Sequence, residues 1–316
     1  MNGFKHLRQV VAKLDFQPHN IKRFLDERGR YDVDLAQDFP LYISLFRFKA
    51  HHFTSGPTWH ERLELFLTLD DLGPFKMGEQ TLNLKAGDLL VVDNMQVHHV
   101  LDHPDLDSRV IVVSFLPELV CNLGSAPDDY AYLVPFLSST SETKRILSYH
   151  EQEASGVYSA IARLLQIHFN ERERPYWRAG CKASLLELLF QLARHFHQNE
   201  IMRSEFLRQQ ERSQKFTRLL EFVSQHYPEK IGIQKAAEMC ALSQSRFVKL
   251  FRQTTGTTFV NYLNHVRLSK AHQLLRETNF SIAEIAHLVG FSDQSYFDRR
   301  FKEYFQQTPR DFRKSL

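Results

Sequence analysis

Two spacings of apolar residues divide the chain. Between residues 41 and 115 the period is two. LYISLFRF, LELFLTL, TLNL, DLLVV and VIVVSF are short apolar runs, split by turn signals at 70–74, at Met77-Gly78 and at Ala86-Gly87-Asp88. Regularly spaced short strands of this kind predict a small barrel or sandwich. Ahead of them, Leu7, Val10, Val11 and Leu14 share one helical face and predict a helical entry within residues 4–36. After Phe115 the strand signal fades, and residues 125–141 read as a loop. Residues 156–170 and 176–197 then return to helical spacing, with Val157, Ile161, Leu164 and Leu165 on one segment and Leu185, Leu186, Leu189, Leu192 and Phe196 on the other. A helical hairpin is expected there. Leu188 and Phe190 widen its apolar face, so a homodimer contact is expected on it.

The last hundred residues keep the helical period and repeat it. In residues 280–301, Ser281 and Glu284 form a capping box, Phe280 and Ile285 a hydrophobic staple, and Ile282, Ile285, Ala286 and Val289 one buried face. Gly290 supplies the left-handed residue that ends the helix, and Phe291 plugs the turn. Ser292 or Asp293 caps a second helix that buries Phe297, Phe301 and Phe305. That is a helix-turn-helix. The segment 233–251 repeats it, with Ala237 over Ala286, Leu242 over Phe291 and Ser243 over Ser292. Between the repeats, Phe259, Leu263, Val266, Ala271, Leu274 and Leu275 hold one helix of about 20 residues, roughly 30 Å long. A turn of DNA is about 34 Å, so such a spacer suits two heads reading successive major grooves.

The heads carry the chemistry for this. Arg246, Lys249 and Arg252 on the first, and Arg299 and Lys302 on the second, can reach phosphates or guanine edges. Gln294 and Ser295 can read bases, and Asp298 can accept from a cytosine amine or hold Arg299. Charge agrees. Residues 213–316 hold 16 Lys and Arg against 9 Asp and Glu, a net of +7 that leaves −4 for the remainder of a chain whose total is +3.

The C-terminal hundred residues resemble the DNA-binding domain of the AraC/XylS family of bacterial transcription regulators. The resemblance rests on Leu242-Ser243, Phe247 to Phe251, Arg267-Leu268, Ala271, Leu274-Leu275, Ile285-Ala286, Val289-Gly290-Phe291, Ser295-Tyr296-Phe297, Phe301-Lys302, Thr308-Pro309 and Arg313. It implies that Ser245, Val248 and Lys249, with Gln294, Ser295, Asp298 and Arg299, face base edges. The family usually has Gly where Gln306 stands, and often where Ala241 stands.

Residues 41–118 resemble a cupin barrel, the sensor half of many members of that family, through His60, Glu64, Gly87-Asp88 and His98. His60 and Glu64 share a strand face, and His98 approaches from the second motif, so the three suit hydrogen bonding to an effector. Trp59 and Phe66 add aromatic surface on which a sugar ring could stack. No resident metal or cofactor is expected, because Thr58 stands where metal cupins place another histidine. Cys121, Cys181 and Cys240 have no paired or metal-binding spacing and read as buried thiols of a reducing cytoplasm. No stretch approaches 18 apolar residues, and no membrane association is expected.

The sequence thus predicts an α+β multidomain chain: a helical extension over 1–40, a cupin-like effector barrel over 41–145, a hairpin over 146–200, a linker over 201–212, and a DNA-binding domain over 213–316 with motifs at 233–252 and 282–302. The expected function is that of a cytoplasmic, effector-responsive activator, not an enzyme, with double-stranded DNA, a small metabolite such as a sugar, RNA polymerase and a second copy as partners. A metal-dependent cupin enzyme with a DNA-binding tail is the alternative. A ligand-blind architectural DNA binder is a weaker third.

Overall fold

The computed structural model describes residues 2–19, 33, 35–36, 38–50, 58–101, 103, 105–121, 127–137, 145–151, 154–196, 203–255, 257–305 and 307–314. The chain opens with α1 (Asn2–Val11) and a two-residue strand β1 (Gln17–Pro18). There follow β2 (Leu41–Lys49), β3 (Leu63–Thr68), β4 (Gly73–Met77), β5 (Gln80–Leu84), β6 (Leu89–Val92), β7 (His98–Val100), β8 (Asp107–Phe115) and, after the short helix α2 (Val134–Leu137), β9 (Ile146–Leu147). They form a six-stranded sheet, ordered β1-β2-β8-β3-β6-β9, and a three-stranded sheet, ordered β5-β4-β7.

Strand geometry explains why the large sheet reads as nearly continuous apolar sequence. Phe46, Phe48, Phe66, Leu90, Val92, Val110 and Val112 form one cluster with Phe75, Leu84 and Val100 of the small sheet. Their alternates, among them Leu45, Leu65, Leu67, Val91, Ile111 and Val113, form another with α1, α3 (Ala154–Asn170) and α4 (Trp177–Phe196). Both faces are covered, so both alternating sets must be apolar. Leu185, Leu188, Leu189 and Leu192 of α4 are fully buried in that second cluster. Leu188, expected from sequence to face a partner, is therefore enclosed within its own chain; Phe190 stays 47% exposed.

The segment expected as a linker over 201–212 is helical from Arg203: α5 runs unbroken over Arg203–His226. Then come α6 (Ile233–Met239), α7 (Gln244–Thr255), α8 (Phe259–Glu277), α9 (Ile282–Leu288), α10 (Gln294–Phe305) and α11 (Pro309–Lys314). Phe216, Leu219, Leu220 and Val223 of α5 pack with Phe247, Phe251 and Phe259 around the first motif. Leu268, Ala271 and Leu275 of α8 pack with Ile285, Val289, Phe297 and Phe301 around the second. The 19-residue α8 thus serves both cores, and is about 28 Å long at 1.5 Å per residue.

The two turns differ by one residue. Leu242 N–H bonds to Ala237 O and Phe291 N–H to Ala286 O, which are equivalent contacts. Phe247 N–H then bonds to Ser243 O, whereas Phe297 N–H bonds to Asp293 O, so the second turn holds one more residue before its helix. The cap equivalent to Ser243 is therefore Asp293, which accepts from Tyr296 N–H at 2.6 Å, and not Ser292. Ala241 and Gly290 end the first helix of each motif at φ 53° and 93°. Only glycine takes such angles freely, so Ala241 carries strain of about 1 kcal/mol. Gln306, the other departure from the family pattern, lies outside the described residues.

Candidate nucleic-acid interface and effector pocket

On α7, Ser245, Arg246, Val248, Lys249 and Arg252 are exposed, because Phe247 and Phe251 turn the opposite face inward. On α10, Gln294, Ser295, Arg299 and Lys302 are exposed and Asp298 is half-buried. The capping box over Ser281 and Glu284 is present with both of its hydrogen bonds. Asp298 does not hold Arg299. That guanidinium lies over the Tyr296 ring, 5.3 Å from its centroid, while the Tyr296 hydroxyl accepts from Asn264 Nδ2 at 3.1 Å. Asp298 keeps Oδ1 without a hydrogen-bond partner, and burial raises its pKa. An acceptor in that condition suits a base amine.

The two heads are fastened to each other through Arg267 of α8. Its Nε donates to Tyr227 O and its Nη2 to Glu229 O, both at 2.8 Å, and its guanidinium lies 5.7 Å from the Phe291 ring in the second turn.

In the β domain, His60, Glu64 and His98 meet and all are buried, at 1%, 3% and 7% exposure. His60 Nε2 lies 3.3 Å from Glu64 Oε2, and His98 Nε2 lies 3.7 Å from Oε1. Arg62 Nη2 stands 3.5 Å from Oε2, and the Ser114 hydroxyl donates to the same oxygen at 3.2 Å. Burial lowers His60 to about 4 and also lowers His98, which favours the neutral form of each ring. Burial alone would raise Glu64, but His60 and Arg62 outweigh it and hold the carboxyl well below its usual range.

Glu64 and His98 also line a cavity of about 40 Å³, together with Phe46, Phe48, Phe66, Phe75, Thr58 and His19. Phe66 sits where the sequence places it. Trp59 does not. It is 1% exposed and packs with Met95 and Val97 into the core of the first helix-turn-helix, beside Tyr262. Thr58, bridged to His98, lines the cavity and His60 joins the polar cluster, whereas Trp59 between them packs into the first helix-turn-helix core.

That junction is a site the sequence reading missed. Gln96 Nε2 donates to Thr255 O at 3.0 Å and Val97 N–H to the same oxygen at 3.2 Å, at the C-terminal end of α7. The hydroxyl of Tyr304, near the end of α10, lies 2.9 Å from His99 Nε2. Arg252 Nη2 donates to Glu79 Oε2 at 2.7 Å, and Thr217 to Glu61 at 2.8 Å. The signal available beforehand was slight: if His98 faces inward, Val97 and His99 face out.

Residues 236–315 match the family described as a helix-turn-helix domain. Over 256 residues the chain is 23% identical to the uncharacterized HTH-type transcriptional regulator YdeC of Bacillus subtilis, covering 81% of this chain and 85% of that protein. Over 99 residues it is 36% identical to the HTH-type transcriptional activator RhaS of Salmonella schwarzengrund, covering 31% of this chain and 36% of RhaS. Fatty-acid-bound ToxT of Vibrio cholerae aligns over 87% of this chain and 95% of its own, at 14% identity and a TM-score of 0.44. A DNA-binding transcription regulator is the class that the matched helix-turn-helix domain and the YdeC and RhaS similarities define. The helix-turn-helix domain at residues 236–315 is of the AraC/XylS type. Among the described residues no helix is long and apolar enough to cross a membrane.

Proposed function

We propose that this chain is a cytoplasmic, effector-responsive transcription activator whose two heads read DNA and whose barrel controls them. The observation that carries the reading is the paired exposure of Lys249 and Arg299 on helices joined by α8. A 99-residue stretch 36% identical to an activator supports activation, for which RNA polymerase is the proposed partner. The strand β7 supports the control. Its His98 belongs to the buried polar cluster, while Val97 before it and His99 beside it hold the ends of α7 and α10.

A ligand that moves His98 would therefore act on both heads at once, provided its affinity differs between the two states. The present cavity suits a water-sized group. A sugar, the class expected from sequence, would enter by widening it, and that widening is itself a movement of β7. Homodimerisation through the exposed side of α4, where Phe190 stands, completes the proposal. Genome-wide footprinting with the full chain tests the core of it: protected sites about two helical turns long are expected, and absence of sequence-selective protection would overturn it.

A further inference from the structure

Gln244 and Gln294 open the two reading helices fifty positions apart, and that register holds along both. Ser243 and Asp293 cap them alike, each side chain accepting from the N–H three residues on. Phe247 and Phe251 match Phe297 and Phe301, and all four are fully buried, so both helices are turned alike about their axes. Thr258 and Thr308 cap the helices that follow in the same way. Residues fifty apart therefore present their side chains equivalently.

At those positions the outward chemistry repeats. Gln244-Ser245 matches Gln294-Ser295, Lys249 matches Arg299 and Arg252 matches Lys302, and every one is exposed. Gln suits adenine, Lys or Arg suits guanine, and Ser accepts more than one base. Two further matches are unlike, Arg246 with Tyr296 and Leu250 with Arg300. Their second members are already engaged, the Tyr296 hydroxyl by Asn264 and Arg300 by Asn261 and Glu303. Arg246 thus adds one cation to the first head alone. The last mismatch lies within the reading face. Val248 is 44% exposed and apolar, the kind of side chain that meets a thymine methyl. Asp298 instead offers Oδ1 without a hydrogen-bond partner, the kind that accepts from a cytosine amine. Gln294 bonds to the same carboxylate, which couples the two readers of the second head.

The way the heads are joined sets the direction of reading. Leu268, Ala271 and Leu275 of α8 seat the second head as Phe216, Leu219 and Val223 of α5 seat the first. Helix α8 is therefore the last helix of one unit and the first of the next. Units chained in this manner run head to tail, whereas a dyad sets like surfaces face to face.

We propose that the two heads read nearly the same base word twice, in the same direction and about 10 base pairs apart, with thymine under Val248 where the second word has cytosine under Asp298. This names the DNA that the proposed function would recognise, and it rests on that function.

The test selects duplexes from a randomised library with the full chain at low salt. Two copies of one word are expected in the same orientation, sharing adenine and guanine and differing by thymine against cytosine at one position. Val248→Asp, at an exposed position, should shift that base pair of the first word toward cytosine by about tenfold and make the two words alike. Asp298→Val should do the converse in the second word, with folding of both variants checked by circular dichroism. Two unrelated words, an inverted pair, or an unchanged preference in Val248→Asp would overturn the proposal and leave a sequence-selective DNA binder standing. Enrichment of no sequence would remove the proposed function, and this proposal with it.

Discussion

Gln96 and Thr255, 159 positions apart in sequence, are joined by a 3.0 Å hydrogen bond from the Gln96 amide to the last carbonyl of α7. Beside it, Glu79 holds Arg252, a residue expected to touch phosphate. An exposed pair of this sort contributes little to stability, about 0 to 1 kcal/mol, but it occupies a charge that DNA needs. Glu79→Ala should therefore tighten binding to duplexes of any sequence and steepen the salt dependence by about one unit of slope. Fluorescence anisotropy against salt concentration decides it, and an unchanged slope would count against the contact as a restraint.

Reading and anchoring should separate on α10. Arg299, poised over Tyr296, should lose discrimination at one base pair when changed to Ala, by about 1 to 3 kcal/mol. Lys302→Ala should weaken specific and random DNA alike. Competition binding with single-base operator variants distinguishes the two, and identical losses for both substitutions would refute the division.

A methyl group should cost stability at both turns, and much more at the second. A Cβ on Gly290 would stand 2.6 Å from Pro228 O and 2.8 Å from its Cα, so Gly290→Ala must push the second turn off the segment that follows α5. A loss of about 2 kcal/mol or more is expected. Ala241→Gly relieves the strained φ at the first turn but frees the unfolded chain, for a net gain of about 1 kcal/mol at most. Urea denaturation of both variants measures the contrast.

Acid should loosen the fold before it protonates carboxylates. Burial lowers His168 and His265 from 6.5 to about 4, with Arg172 adding to the first and Arg300 and Lys76 to the second. Groups neutral in the fold take protons sooner in the unfolded chain. Their contribution is thus complete above pH 6.5, falls as pH drops below it, and levels off near 4. Denaturation midpoints at pH 7.5, 5.5 and 4.5 should fall in that order, and His168→Gln should flatten the decline.

What the sequence made legible was local. The caps at Ser281 and Asp293, the left-handed Gly290 and the Phe297–Phe301 spacing each lie within a few residues of what they fix. Strand β4, GPFKM, escaped because Gly73 and Pro74 read as a turn, and their strand role depends on partners in β5 and β7. Strand β7 is three residues long, too short to show alternation. The insertion before α10 was hidden because Ser243 and Ser292 look alike. The fate of Trp59 depends on a surface supplied by residues more than 150 positions later.

The placement of that indole gives the molecule an optical gauge of its own. The chain has two tryptophans, and Trp177 opens α4 of the hairpin, far from the junction in sequence and packed against a separate cluster. With Trp177 replaced by Phe, the emission maximum would report on Trp59 alone. A shift to longer wavelength would then mark water reaching the seam where barrel and reading heads meet.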